Sequence, residues 1–122
     1  MNFAMRKLLA LSLLLLCPAL VTASGTFLAG IEDVPVPPGF TENQSAGMTF
    51  DSPSGRIIIA VANGTDLTRE QVLAFYVETL PQLGWTRISD TEFRSDSETL
   101  RITIDKGTQQ QLTVHYNLTP NS

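Results

Sequence analysis

His115 is the only histidine in the chain, so a general base working near neutral pH would be this residue or a carboxylate. Its neighbours alternate Leu112, Val114, Tyr116, Leu118 against Thr113, His115, Asn117, Thr119. This puts the imidazole on the polar side of a strand, where contact with solvent is expected rather than base catalysis. Asp90, Glu92, Asp96 and Glu98 form an acidic cluster that could hold a weak Ca²⁺. The oxygen-ligand spacing of a calcium loop is missing, and solvated turn carboxylates are expected instead. No serine sits in Gly-x-Ser-x-Gly, and Gly25, Gly30 and Gly39 do not form a phosphate loop between a strand and a helix. These residues name no catalytic group, no metal site and no cofactor, and the chain is not expected to be an enzyme.

The one cysteine, Cys17, falls inside an N-terminal leader. Arg6 and Lys7 supply its positive start, Leu8 to Leu16 its apolar centre, and Val21-Thr22-Ala23 the short residues that a signal peptidase requires. The apolar run is shorter than the roughly 20 residues of a spanning helix, and Pro18 interrupts it. Residues 1–23 are therefore expected to be a signal peptide cleaved after Ala23, with no membrane insertion of the product. A lipid-bearing Cys needs a small residue before it, and Leu16 is not one. Loss of Cys17 with the leader would exclude disulfides, thiol nucleophiles and thiolate metal ligands. It would also take Arg6 and Lys7 from the 8 basic residues, leaving six against 12 acidic and a net charge of about −6. Scattered, outnumbered cations argue against nucleic acid and anionic membranes as partners.

The elements that must position any site follow from periodicity. Residues 24–47, with Pro35, Pro37, Pro38 and Gly39, read as an extended Pro-rich lead-in. It would be either an arm for a partner or a strap with Ile31, Val34 and Phe40 packed down. Residues 48–120 read as a small α+β domain. Met48 to Phe50 and Arg56 to Ala62 make a hairpin about Asp51-Ser52-Pro53-Ser54-Gly55. Ile57, Ile59 and Val61 share one face of its second strand, while Ile58, Ala60 and Ala62 share the other, so some cover on both sides is expected.

Thr68 and Gln71 form a capping box, Leu67 and Val72 a hydrophobic staple, and the helix starts at Arg69. Val72, Leu73, Phe75, Tyr76, Val77 and Leu80 make its apolar stripe. Gly84 is the left-handed residue after the helix and Trp85 its hydrophobic contact back to Leu80, with Pro81 in the last turn. Trp85 to Asp90 pairs with Phe93 to Ser95, and strands at Thr99 to Asp105 and Gln111 to Leu118 follow. The predicted fold is two-layer α+β, of order β-β-α-β-β-β, with an antiparallel sheet covered by one helix.

The segments Val34-Pro35-Val36-Pro37-Pro38-Gly39-Phe40, Met48 to Arg56, Phe75-Tyr76-Val77-Glu78-Thr79-Leu80-Pro81-Gln82-Leu83-Gly84-Trp85 and Leu112 to Pro120 together resemble a group of small exported proteins of alphaproteobacteria. The resemblance implies a periplasmic location and supplies no catalytic residues. In architecture the domain is also similar to the helix-grip modules of outer-membrane lipoproteins, from which it departs in lacking their lipidated Cys. The expected function is a non-catalytic binding or accessory domain that recognises another envelope protein. The alternative is a carrier of a small apolar ligand in a helix-on-sheet slot lined by Phe75, Leu80, Trp85 and Tyr116. A hydrolase built on His115 and a nearby carboxylate is a third, lesser reading.

Overall fold

The computed structural model describes residues 26–121; the leader and its expected cleavage lie outside them. Seven strands and one α-helix follow in chain order. They are β1 (Thr41–Glu42), β2 (Met48–Ser52), β3 (Gly55–Gly64), α1 (Arg69–Thr79), β4 (Thr86–Arg87), β5 (Glu92–Arg94), β6 (Glu98–Lys106) and β7 (Leu112–Pro120). The strands form one antiparallel sheet ordered β1-β3-β7-β6-β5-β4, with β2 sharing the β1 edge of β3. The fold is thus the two-layer α+β arrangement expected. A short β1 precedes the hairpin and was not expected. The expected pairing of Trp85–Asp90 with Phe93–Ser95 is present as β4 and β5, which makes four strands after the helix where the expected order had three.

Register explains the division of the sheet into two faces. Ile58 lies opposite Leu118, Leu118 opposite Leu100, and Leu100 opposite Phe93, and all four are buried. The adjacent row runs Met48, Ile59, Asn117, Arg101, Glu92 on the other face, because successive residues of a strand point to opposite sides. Helix α1 buries Val72 and Tyr76, and the turn that follows it buries Leu80, in the same core as the first row. Its start is chemically fixed. Thr68 Oγ1 accepts from the Gln71 N–H, and Gln71 Oε1 accepts from the Thr68 N–H.

The helix end is also fixed by sequence. Pro81 has no N–H to continue the α-helical ladder, and residues Leu80–Leu83 tighten into a 3₁₀ turn. Gly84 then takes φ 101°, its N–H bonding to Pro81 O while the Trp85 N–H bonds to Leu80 O at 3.1 Å. This pair of bonds is a Schellman motif, and it delivers Trp85 into the core at 3% exposure.

The Pro-rich lead-in is a strap that belongs to the core. Leu28, Ile31, Val34, Val36 and Phe40 are buried together with the helix and the sheet. The strap closes on itself through Leu28 N–H to Val34 O and Val36 N–H to Thr26 O, at 2.9 and 2.8 Å. Two aromatic donors from the domain then hold its backbone. Trp85 Nε1 donates to Asp33 O at 3.1 Å, and the Tyr76 hydroxyl donates to Pro35 O at 2.6 Å. Phe40 packs closely on Gly64, where any Cβ would clash with its ring.

Candidate functional site

Of the four residues of the expected slot, three are filled core. Leu80 and Tyr116 are fully enclosed, Trp85 nearly so, and only Phe75 borders open space. The Tyr76 and Tyr116 rings pack together in this core, and the strap lies against it. Those rings meet edge to face at 5.9 Å, with their hydroxyl oxygens 2.5 Å apart. Tyr76 spends its one proton on the Pro35 carbonyl, so Tyr116 must be the donor in the shared bond. Burial, the largest influence, pushes both phenols above their ordinary range.

Phe75 instead lines a groove of about 680 Å³ between the strap and the end of the helix. Phe27 and Leu83 are exposed on its border, and Pro35, Pro38 and Phe40 also face it. Among the described residues, no charged one lines the groove. Two of its polar side chains are tied back to the helix, Thr79 Oγ1 to Phe75 O at 2.7 Å and Gln82 Nε2 to Glu78 O at 2.9 Å.

The second open surface is the sheet face turned away from the helix. Met48 and Phe50, on the outermost strand β2, are 52% and 48% exposed, and they stand opposite Ile59 and Ile57 on β3. Across β7 to β5 the same face becomes polar, with Asn117, Arg101 and Glu92 continuing the Met48–Ile59 row. The cover expected on both sides of β3 is therefore full on the helix side and partial on this one: Val61 is buried, while Ile57 and Ile59 are half-buried.

His115 lies on this outer face with Nε2 at 3.0 Å from Asp105 Oδ2, and it stands opposite Val61 and Thr103. The carboxylate of the lesser, hydrolytic reading thus has a position, and the cross-strand neighbours of His115 bring no strong nucleophile to it. The acidic cluster is dispersed among arginines. Asp90 pairs with Arg87, Glu98 with Arg56, and Glu92 lies between Arg94 and Arg101. The Glu98 hydrogen bond raises the Arg56 pKa above its ordinary value. Among the described residues no three His, Cys, Asp or Glu side chains converge as a metal site, and no helix is long and apolar enough to cross a membrane.

Sequence reasoning singled out neither Arg94 nor Arg101. The signal was there: a turn at Ser95–Glu98 pairs Glu92 with Arg101 and Arg94 with Thr99, which gathers both guanidiniums on one face. No protein-family model, curated protein or solved structure matches this chain.

Proposed function

We propose that this is a non-catalytic binding domain of the bacterial envelope that recognises another protein through the bare face and open edge of its sheet. The observation that carries the reading is β2. It is a five-residue edge strand free of Lys and Pro, and it presents Met48 and Phe50 to solvent beside Ile57 and Ile59. Edge strands of monomeric proteins are commonly blunted by lysine, proline or a bulge; β2 has none of these and carries one charge, Asp51, at its turn end, so its Met48–Phe50 stretch can accept an added segment. The leader supports an exported location for that partner. A photo-crosslinking residue at position 50 of the exported protein should trap one discrete species in cells, lost on Met48→Asp. Identical bystanders trapped from position 50 and from Glu70, on the far side of the molecule, would overturn the reading.

A second reading, the apolar carrier, is favoured by the uncharged groove at Phe27, Phe75 and Leu83 rather than by the filled slot. Single-chain neutral amphiphiles should then cause a saturable change in Trp85 emission. Absence of saturation counts against it.

A further inference from the structure

We infer that the concavity between Arg94 and Arg101 is a carboxylate subsite of the same recognition face. It would take one acidic group of a bound polypeptide whose apolar residues rest on Met48, Phe50, Ile57 and Ile59. The inference rests on the proposed recognition role and adds the chemistry of the partner.

The concavity has a volume of about 510 Å³, and Thr99, Thr119 and Asn121 contribute to its lining alongside the two arginines. Unspent donors are the first argument. Arg94 and Arg101 share a single carboxylate, Glu92, at 3.8 and 3.6 Å, beyond ordinary hydrogen-bond length. Glu92 and Asp96 balance the two guanidiniums in charge, but among the described residues neither arginine is held by a hydrogen bond, so both forks stay open to a carboxylate. Arg56, on the opposite, strap-covered side of the sheet, is by contrast held by both oxygens of Glu98 at 2.8 and 3.3 Å. Guanidiniums with unspent N–H groups are suited to planar, two-pronged contact with a carboxylate.

Donor geometry is the second argument. The Thr99 hydroxyl donates to Asn121 Oδ1 at 2.5 Å, and Asn121 Nδ2 donates to Ser95 O at 3.0 Å, so the floor is fixed before a ligand arrives. Asp96 also lines the concavity and, among the described residues, makes no ion pair there. Its charge limits the site to one negative group and opposes a dianionic phosphate.

Spacing is the third. The row Met48, Ile59, Asn117, Arg101 is continuous in register, and strands lie about 4.8 Å apart. Arg101 therefore stands about 10 Å from Ile59 and about 14 Å from Met48 along the row. An extended chain rising about 3.3 Å per residue covers that gap in three or four residues. The partner thus carries an apolar pair followed, three or four residues later, by a carboxylate, from either an acidic side chain or a chain terminus.

The test uses the exported protein, isotope-labelled, and three peptides: acetyl-Leu-Phe-Ser-Ser-Ala with a free C-terminus, the same peptide amidated, and amidated acetyl-Leu-Phe-Ser-Ser-Glu. The free acid or the Glu peptide should shift the Arg94 and Arg101 side-chain signals together with Ile57 and Ile59, binding at least fivefold more tightly than the neutral amide. Whichever acid binds better identifies the source of the carboxylate. Arg94→Gln with Arg101→Gln should erase the advantage while leaving the Ile57 and Ile59 shifts in place. Equal binding of acid and amide overturns the subsite, as does inorganic phosphate displacing the acid at lower concentration than acetate. A persistent crosslink from position 50 alongside equal binding would show that the subsite alone has failed and the recognition role has not.

Discussion

At the scale of single residues, the molecule relies on aromatic side chains that pack and donate at once. Trp85 fills core volume and satisfies the Asp33 carbonyl. Trp85→Ala should therefore cost about 3 to 5 kcal/mol, read from the midpoint of urea unfolding. The tyrosine relay has a direction, Tyr116 to Tyr76 to Pro35 O, and the direction has a consequence. Tyr76→Phe strands both the Tyr116 hydroxyl and the Pro35 carbonyl, whereas Tyr116→Phe removes only the outer donor. The first should cost about 2 to 3 kcal/mol and the second about 1 kcal/mol.

Both phenols are raised above their unfolded value near 10, chiefly by burial. Their contribution is fully present below pH 10. Above it the unfolded chain loses protons that the folded chain retains, so stability falls as pH rises. The slope should approach about 2.7 kcal/mol per pH unit for the pair. Unfolding midpoints between pH 8 and 11 should show that fall, and it should flatten in the double Phe variant.

At the scale of elements, two glycines are required for different reasons. Gly84 has open space around it but φ 101°, so Gly84→Ala should cost about 1 kcal/mol through backbone strain alone. Gly64 has no room: its added methyl would clash with the Phe40 ring. Gly64→Ala should cost about 1 to 3 kcal/mol by overpacking, with much of that recovered in a Phe40→Leu background. Denaturation of the four variants of that cycle checks the coupling.

The contrast also shows what could be read ahead of the structure. The helix was legible at both ends because Thr68 with Gln71, and Gly84 with Trp85, are local codes whose partners lie within a few residues. The alternation of β6 and β7 likewise declared the buried face. The strap reading of the Pro-rich segment was legible in Ile31, Val34 and Phe40, which are buried as that reading has them; what fastens the strap was not, because Gly64, Tyr76 and Trp85 are all distant in sequence. The burial of the slot residues was hidden for the same reason. Leu80, Trp85 and Tyr116 have the composition of a pocket wall, and only the strap decides that they are core. The arginine pair was legible in principle from the Ser95–Glu98 turn, but only once the register of β5 against β6 was fixed.

At the scale of the whole molecule, a single core is shared by helix, sheet and strap, and removing one layer should collapse the others. A chain lacking residues 26–40 behind an intact leader would expose the faces covered by Ile31, Val34 and Phe40, and would leave the Trp85 and Tyr76 donors unpaired. It should lose its near-ultraviolet circular dichroism and be degraded rapidly by protease, whereas the intact protein should resist cleavage within the strap. An acidic balance, with a sequence pI near 4.7, opposes self-association through charge while leaving the apolar edge at β2 available.

The strap's anchorage also sets a timetable. Its first residues leave the ribosome early, yet the hydroxyl chain that holds Pro35 ends on Tyr116, in the final strand. Central strand β3 likewise waits for β7 before its inner edge is paired. Contacts so distant along the chain form late and slowly. A polypeptide that cannot close this core until Leu112–Pro120 is made stays open while the strap, the hairpin and the helix are already synthesised.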